Sequence, residues 1–133
     1  MRYLLDTNII IYTMKRRPPQ VAARFAERRA DELRLSSISL AELLFGAAKS
    51  QQPAKALQAI ANLGDALDIA PFDEAAAQVY GPLRAELERQ GRPIGALDTL
   101  IAAHALSLDA TLVTHNVGEF SRVPGLRVED WSV

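Results

Sequence analysis

The chain has 133 residues, 49% of them apolar and 23% charged, and a formal net charge of −1. That size suits one domain across residues 1–133, and the apolar share is enough for a packed core and too high for a disordered chain. The near-neutral balance excludes a general polyanion binder, so nucleic-acid contact has to come from local basic patches; the absence of cysteine excludes disulfides, thiolate metal sites and a cysteine nucleophile, and fits a cytoplasmic protein.

Tyr3-Leu4-Leu5 is a short apolar run closed by Asp6-Thr7-Asn8 and followed by Ile9-Ile10-Ile11-Tyr12. β-compatible residues ended by Asp and Asn read as a buried strand and a turn. Asp6 is thereby left at the carboxyl end of the first strand, the edge where open α/β sheets bind ligands. Asp6 and Asn8 also interrupt the apolar stretch that a signal peptide would need, and no span is long and apolar enough to cross a membrane. Residues 9–14 read as a short helix ending in Lys15-Arg16-Arg17 and stopped by Pro18-Pro19. Residues 20–29 read as a second, basic helix and 33–37 as a strand. Residues 39–49 form a helix with Leu40, Leu43, Leu44 and Ala47 on one face. Another helix covers 53–63, ending near Gly64, and a strand covers 67–70, closed by Pro71. Asp73 caps a long helix over 74–89 that stops before Gly91 and Pro93. Residues 96–106 make a helix apolar nearly all round, hence buried. A strand at 111–114, a helical turn at 117–120, a strand at 126–128 and a terminal anchor, Trp131, complete the chain. Strands alternating with helices predict a three-layer α/β/α sandwich on a short, mostly parallel sheet of four or five strands.

Asp6, Glu42 and Asp98 carry the candidate chemistry, although each has a local structural role open to it. Asp6 can cap the following helix, Ser39-x-x-Glu42 matches a capping box, and Asp98 in a first turn complements the helix dipole. Position favours function. Asp98 shares a stripe with Ile101, Ala102 and Ala105, so it points inward, where a carboxylate is costly unless paired or metal-bound. Neither Asp98 nor Asp6 has a local Lys or Arg. An oxygen-only cluster selects a hard cation, Mg²⁺ or Mn²⁺. Thr7 and Asn8 serve either as turn residues or, in the case of the Asn8 amide, as a holder of neighbouring carboxylates. His104 and His115 lack zinc-motif spacing, and His104, off the Asp98 stripe, reads as a packed or surface residue. Lys15, Arg16, Arg17, Arg84, Arg89 and Arg92 read mainly as solvated helix faces, and the scattered aromatics indicate no base-stacking platform.

Asp6-Thr7-Asn8 after the first strand, Ser39-x-x-Glu42, Asp98-Thr99-Leu100-Ile101-Ala102-Ala103-His104-Ala105, Leu112-Val113-Thr114-x-Asn116 and Glu129-Asp130-Trp131 together resemble the PIN domain, and more narrowly the VapC toxins of bacterial toxin–antitoxin pairs. The resemblance runs from Tyr3 to Trp131. It implies a Mg²⁺- or Mn²⁺-dependent endoribonuclease acting on structured RNA such as tRNA. It also implies a homodimer neutralised by a VapB-type antitoxin, through which the complex reaches operator DNA, with no membrane partner. The family's first three acids match Asp6, Glu42 and Asp98. The fourth is usually Asp where this chain has Asn116, and Glu119, one helical turn later, is placed to supply the missing charge. The expected catalytic set is Asp6, Glu42, Asp98 and Glu119, with Asp6 and Asp98 as metal ligands and Thr7, Asn8 and Asn116 in support. Two rivals stand beside it. One is an aspartyl-phosphate enzyme with Asp6 as nucleophile, whose usual second acid is here Asn8. The other is a degenerate PIN fold that binds RNA or protein without cleaving, for which the acid lost at Asn116 is the best support.

Overall fold

Tyr3, Leu4 and Leu5 are 5%, 0% and 0% exposed. A strand buried on both faces has no polar face to show, which is why these residues read as a continuous apolar run. They form β1 (Tyr3–Leu5), the centre of a sheet built with β2 (Leu33–Ser36), β3 (Asp68–Ala70), β4 (Thr111–Val113) and β5 (Val128–Glu129). The strand order is β3-β2-β1-β4-β5, and every pairing is parallel, with Leu5 level with Leu35 on one side and Val113 on the other. The computed structural model describes residues 2–15 and 18–133; Arg16 and Arg17, read above as the basic end of the first helix, lie outside the described residues.

The helices are α1 (Thr7–Lys15), α2 (Pro19–Ala26), α3 (Ser37–Ala48), α4 (Pro53–Ala66), α5 (Glu74–Arg89), α6 (Ala96–Ser107) and the single turn α7 (Val117–Phe120), with a 3₁₀ turn at Ala30–Glu32 before β2. Alternation along β1 separates two cores. Tyr3 and Leu5 pack with Ile9, Ile10, Leu43, Ile60 and Trp131, whereas Leu4 packs with Leu87, Ile101, Ala102, Leu112 and Phe120. Helices α1 to α4 thus cover one face and α5 to α7 the other, giving the expected three layers. No helix among the described residues is long and apolar enough to cross a membrane.

Several boundaries fall where hydrogen-bonding groups dictate. Helix α1 starts two residues earlier than the apolar run suggests, because the Asp6 carbonyl already accepts from Ile10 N at 3.3 Å. Pro19 does not merely stop α1; it opens α2, where a missing N–H costs nothing. Asp73 caps α5 as expected, its Oδ1 accepting from Ala76 N at 3.0 Å. The capping box at Ser39 does not form. Ser36 caps α3, accepting from Ile38 N at 3.1 Å, and Glu42 is left free to bond elsewhere.

Trp131 is wholly buried. Its ring meets Tyr3 edge-on at 5.2 Å and Phe25 at 5.7 Å, the Arg28 guanidinium lies 5.5 Å from its centroid, and Nε1 donates to Glu129 Oε1 at 3.0 Å. The last residues of the chain therefore close the first core. Trp131→Ala should destabilise the protein by about 3–5 kcal/mol, measured by denaturant unfolding; a loss under about 1 kcal/mol would show that the tail is not part of the cooperative unit.

Candidate active site

The chain passes from β1 to β2 on one side and later returns to β4 on the other side of β1. The carboxyl ends of β1 and β4 therefore border the switch point of the sheet, where flanking connections diverge and leave a crevice. Asp6 occupies it. Its backbone N donates to Val113 O at 2.9 Å, Oδ1 accepts from Thr7 N at 2.8 Å, and Oδ2 accepts from Thr114 Oγ1 at 2.8 Å. Burial raises the Asp6 carboxyl pKa, the two hydrogen bonds pull it back, and the Glu119 charge adds to the rise.

Glu42 reaches the same edge from α3. Its Oε1 accepts from Thr7 Oγ1 at 3.0 Å, so Thr7 holds two of the acids, one with its amide and one with its hydroxyl. Burial raises the Glu42 pKa, and the Asp6 charge raises it further. Asp98 stands in the first turn of α6, half-buried, and its carboxyl is hydrogen-bonded to Glu119. Burial first, then Glu119, Asp6 and Glu42, push Asp98 up to about 8. Glu119 moves the other way, held low chiefly by the bond from Asp98. The opposite directions have one cause: two carboxyls in contact disfavour double ionisation, and the protonated one can donate to the other.

Glu119 is fixed from two further sides. Oε1 accepts from Gly95 N at 2.8 Å, and Oε2 accepts from Asn116 Nδ2 at 2.6 Å. The structure therefore brings together Asp6, Glu42, Asp98, Glu119, Thr7 and Asn116. Asn8 takes a different place: its Oδ1 accepts from His115 N at 3.2 Å, so it pins the loop after β4 rather than a carboxylate. Sequence reasoning passed over Thr114 and Gly95. Thr114 follows β4 directly and carries a hydroxyl, the one local signal it offers. A Cβ at Gly95 would stand 3.5 Å from Asp98 Oδ2 and 3.7 Å from Glu119 Oε1, placing a methyl against both acids. His104 is a packed residue, fully buried, with Nδ1 2.8 Å from Ser36 Oγ. Burial depresses its pKa. Among the described residues none of the four acids lies within salt-bridge distance of a Lys or Arg.

Residues 3–126 match the family model for the PIN domain. The chain belongs to the PIN-domain family. Among relatives of this PIN domain, the tRNA(fMet)-specific endonuclease VapC of Shigella flexneri is 46% identical over 99% of both chains. The ribonuclease VapC2 of Haemophilus influenzae strain Rd is 43% identical over 98% of both. Among solved structures, DNA-bound VapBC of Salmonella typhimurium matches at 40% identity with a TM-score of 0.93 over 98% of both chains. VapBC-1 of nontypeable Haemophilus influenzae matches at 44% and 0.90 over the whole of both.

A raised acid pKa in the folded PIN domain stabilises it at low pH and loses that contribution as pH climbs through the folded value. In chelator, the protein should therefore lose stability between about pH 4 and the Asp98 value of about 8. Asp98→Asn, which keeps a donor toward Glu119 without a titrating charge, should flatten that loss and exceed wild type in melting temperature at pH 9. Parallel melting curves at pH 5 and pH 9 for the two proteins would show that Asp98 carries no such burden.

Proposed function

We propose that this single PIN domain is an endoribonuclease toxin that cleaves structured RNA, tRNA above all, with Mg²⁺ or Mn²⁺, and that a VapB-type antitoxin neutralises it. One observation carries the enzymatic reading. Acids from separated parts of the chain meet at the switch point, held by neutral donors and by no Lys or Arg among the described residues. Gathering like charges works against folding, and a divalent cation is the simple remedy. The donor set is all oxygen, which suits a hard cation. As they stand, no three Asp, Glu or His side chains among the described residues converge closely enough to hold an ion. Binding of a cation by these acids would release the proton that the raised Asp98 pKa favours.

Asp6 and Asp98 would hold the ion, with Glu42 and Glu119 around it. Such an ion, when bound, supplies an acidified water and screens phosphate charge. Thr7 and Thr114 keep the Asp6 and Glu42 oxygens turned to the crevice, while Asn116 and Gly95 do the same for Glu119. Asn116 in place of an acid favours the binding-only reading, but Glu119 against Asp98 restores a fourth carboxylate and favours the enzyme. Asp6 as a phosphate-accepting nucleophile has less support, because the place of its usual second acid is held by Asn8, which bonds His115 N.

The partner reading draws on the same edge. A groove of about 380 Å³ is lined by Ile11, Met14, Leu43, Ala47 and Ile60, with Thr7 and Glu42 beside it. It suits an amphipathic antitoxin segment that buries apolar side chains and extends an Arg or Lys toward the acids. That the toxin–antitoxin complex meets DNA accords with the relative solved as a DNA-bound VapBC complex, and a homodimer is part of the same reading.

The test is incubation of antitoxin-free protein with tRNA(fMet) and Mn²⁺, with mapping of the new RNA ends and titration of the metal. Discrete ends should appear, Asp98→Asn should be slower by roughly a hundredfold or more, and Glu119→Gln should need more metal and cleave more slowly than Asn116→Ala. Cleavage by Asp98→Asn at the wild-type rate would sink the assignment, and an unaltered Glu119→Gln would confine the site to Asp6, Glu42 and Asp98.

A further inference from the structure

Residues 114–116 follow β4 and hold two of the acids. Thr114 Oγ1 donates to Asp6 Oδ2, and Asn116 Nδ2 donates to Glu119 Oε2. The same Thr114 hydroxyl accepts from Asn116 N at 3.0 Å, so the segment is a tight turn whose side chains are not placed independently. His115 stands between the two. Its backbone N donates to Asn8 Oδ1, and its ring meets Tyr12 of α1 edge-on at 5.9 Å.

Residues 129–132 grip this turn. Glu129 O accepts from Thr114 N at 2.9 Å. Asp130 Oδ2 lies 3.3 Å and Ser132 Oγ 2.9 Å from His115 Nδ1. Asp130 Oδ1 accepts from Ser132 N at 2.8 Å and from Ser132 Oγ at 2.5 Å, which joins the two side chains into one unit. Gln20 Nε2 donates to Ser132 O at 2.7 Å and anchors that unit to α2. The contact with the ring survives either protonation state: an Nδ1 bearing hydrogen donates to Ser132 Oγ, and one without it accepts from the Ser132 hydroxyl. Packing in the core accounts for Trp131 but not for the residues on either side of it. The Asp130 side chain is only 13% exposed, and the partners it has there are Ser132 and His115.

We infer that Asp130 and Ser132 are positioning residues of the acidic crevice. Through His115 they fix the turn of residues 114–116, and with it the donor by which Asn116 holds Glu119 for a divalent cation. Partners one step removed from a ligand orient it and so tune the affinity of a metal site; here the chain of contacts runs from the tail to the turn, and from the turn to the acid. The inference rests on the metal-dependent reading above.

The experiment titrates Mn²⁺ into the antitoxin-free, RNA-free protein by calorimetry, so that affinity is read apart from activity. Asp130→Ala should weaken binding about fivefold, less than the roughly 10- to 100-fold expected for a residue bonded directly to a ligand. His115→Ala, a change at a half-exposed side chain, should cost a similar factor. The double variant should lose no more than either single one, because both act along one route. Asp130→Asn keeps the acceptor toward Ser132 and should bind as wild type does. In the cleavage assay, Asp130→Ala should need more Mn²⁺ for half its full rate yet reach the wild-type rate at saturation. An unchanged Mn²⁺ affinity in both Asp130→Ala and His115→Ala overturns the inference and leaves the metal reading in place. Additive losses in the double variant also overturn it, as does an Asp130→Asn protein that binds as weakly as Asp130→Ala. Wild-type protein that binds no Mn²⁺ removes the metal reading and this inference with it.

Discussion

A carboxylate withdrawn from water at the mouth of a parallel sheet sets the terms for everything around it. Asp6 is 5% exposed, and its bonds tie together the end of β1, the start of α1 and the residue after β4. Neutral donors satisfy both oxygens, which makes burial tolerable without cancelling the charge. A lysine in the same place would have neutralised Asp6 and left nothing for a cation to do. Because the charge persists, it is felt by Glu42 and Asp98, and the whole crevice is acidic by construction. The order β3-β2-β1-β4-β5 then supplies the rest, since only a central strand has a switch point beside it.

The acids were legible in the sequence and their holders largely were not. Asp6 closes an apolar run, Asp98 sits on the stripe of Ile101, Ala102 and Ala105, and Glu119 follows Asn116 by one helical turn. Each is a local pattern. Thr114 donating to Asp6 joins residues 108 apart, and Gly95 donating to Glu119 joins residues 24 apart; such pairings leave no periodicity to read. The start of α3 failed for the same reason. Ser36, Ser37 and Ser39 all offer a capping hydroxyl. Ser36 is the one that caps, and His104, 68 residues away, bonds the same oxygen. With the helix starting there, Ser39 lies past the cap and Glu42 turns to Thr7 instead. Secondary structure fared better because strands buried on both faces and capped amphipathic helices announce themselves locally.

Where the resemblance expects an acid, Asn116 serves as a hydrogen-bond donor. Its Nδ2 donates to Glu119 Oε2 at 2.6 Å, a bond that an ionised Asp at the same position could not make. In the proposed site the fourth carboxylate is that of Glu119, one helical turn onward, a longer side chain steadied by Asn116. The Gly95 backbone N–H, in the α5–α6 connection, holds the other Glu119 oxygen at 2.8 Å.

The order in which these segments leave a ribosome is set by the same topology. Asp6, Glu42 and Asp98 all emerge before residues 111–114, and until those are made β1 lacks its neighbour β4 and Asp6 its second donor. Trp131, which closes the core beneath β1, follows later still. A nascent chain is therefore a set of scattered acids, and long-range pairings of this kind form last and slowly. A nascent chain that stops short of β4 thus carries three of the acids without the crevice that gathers them.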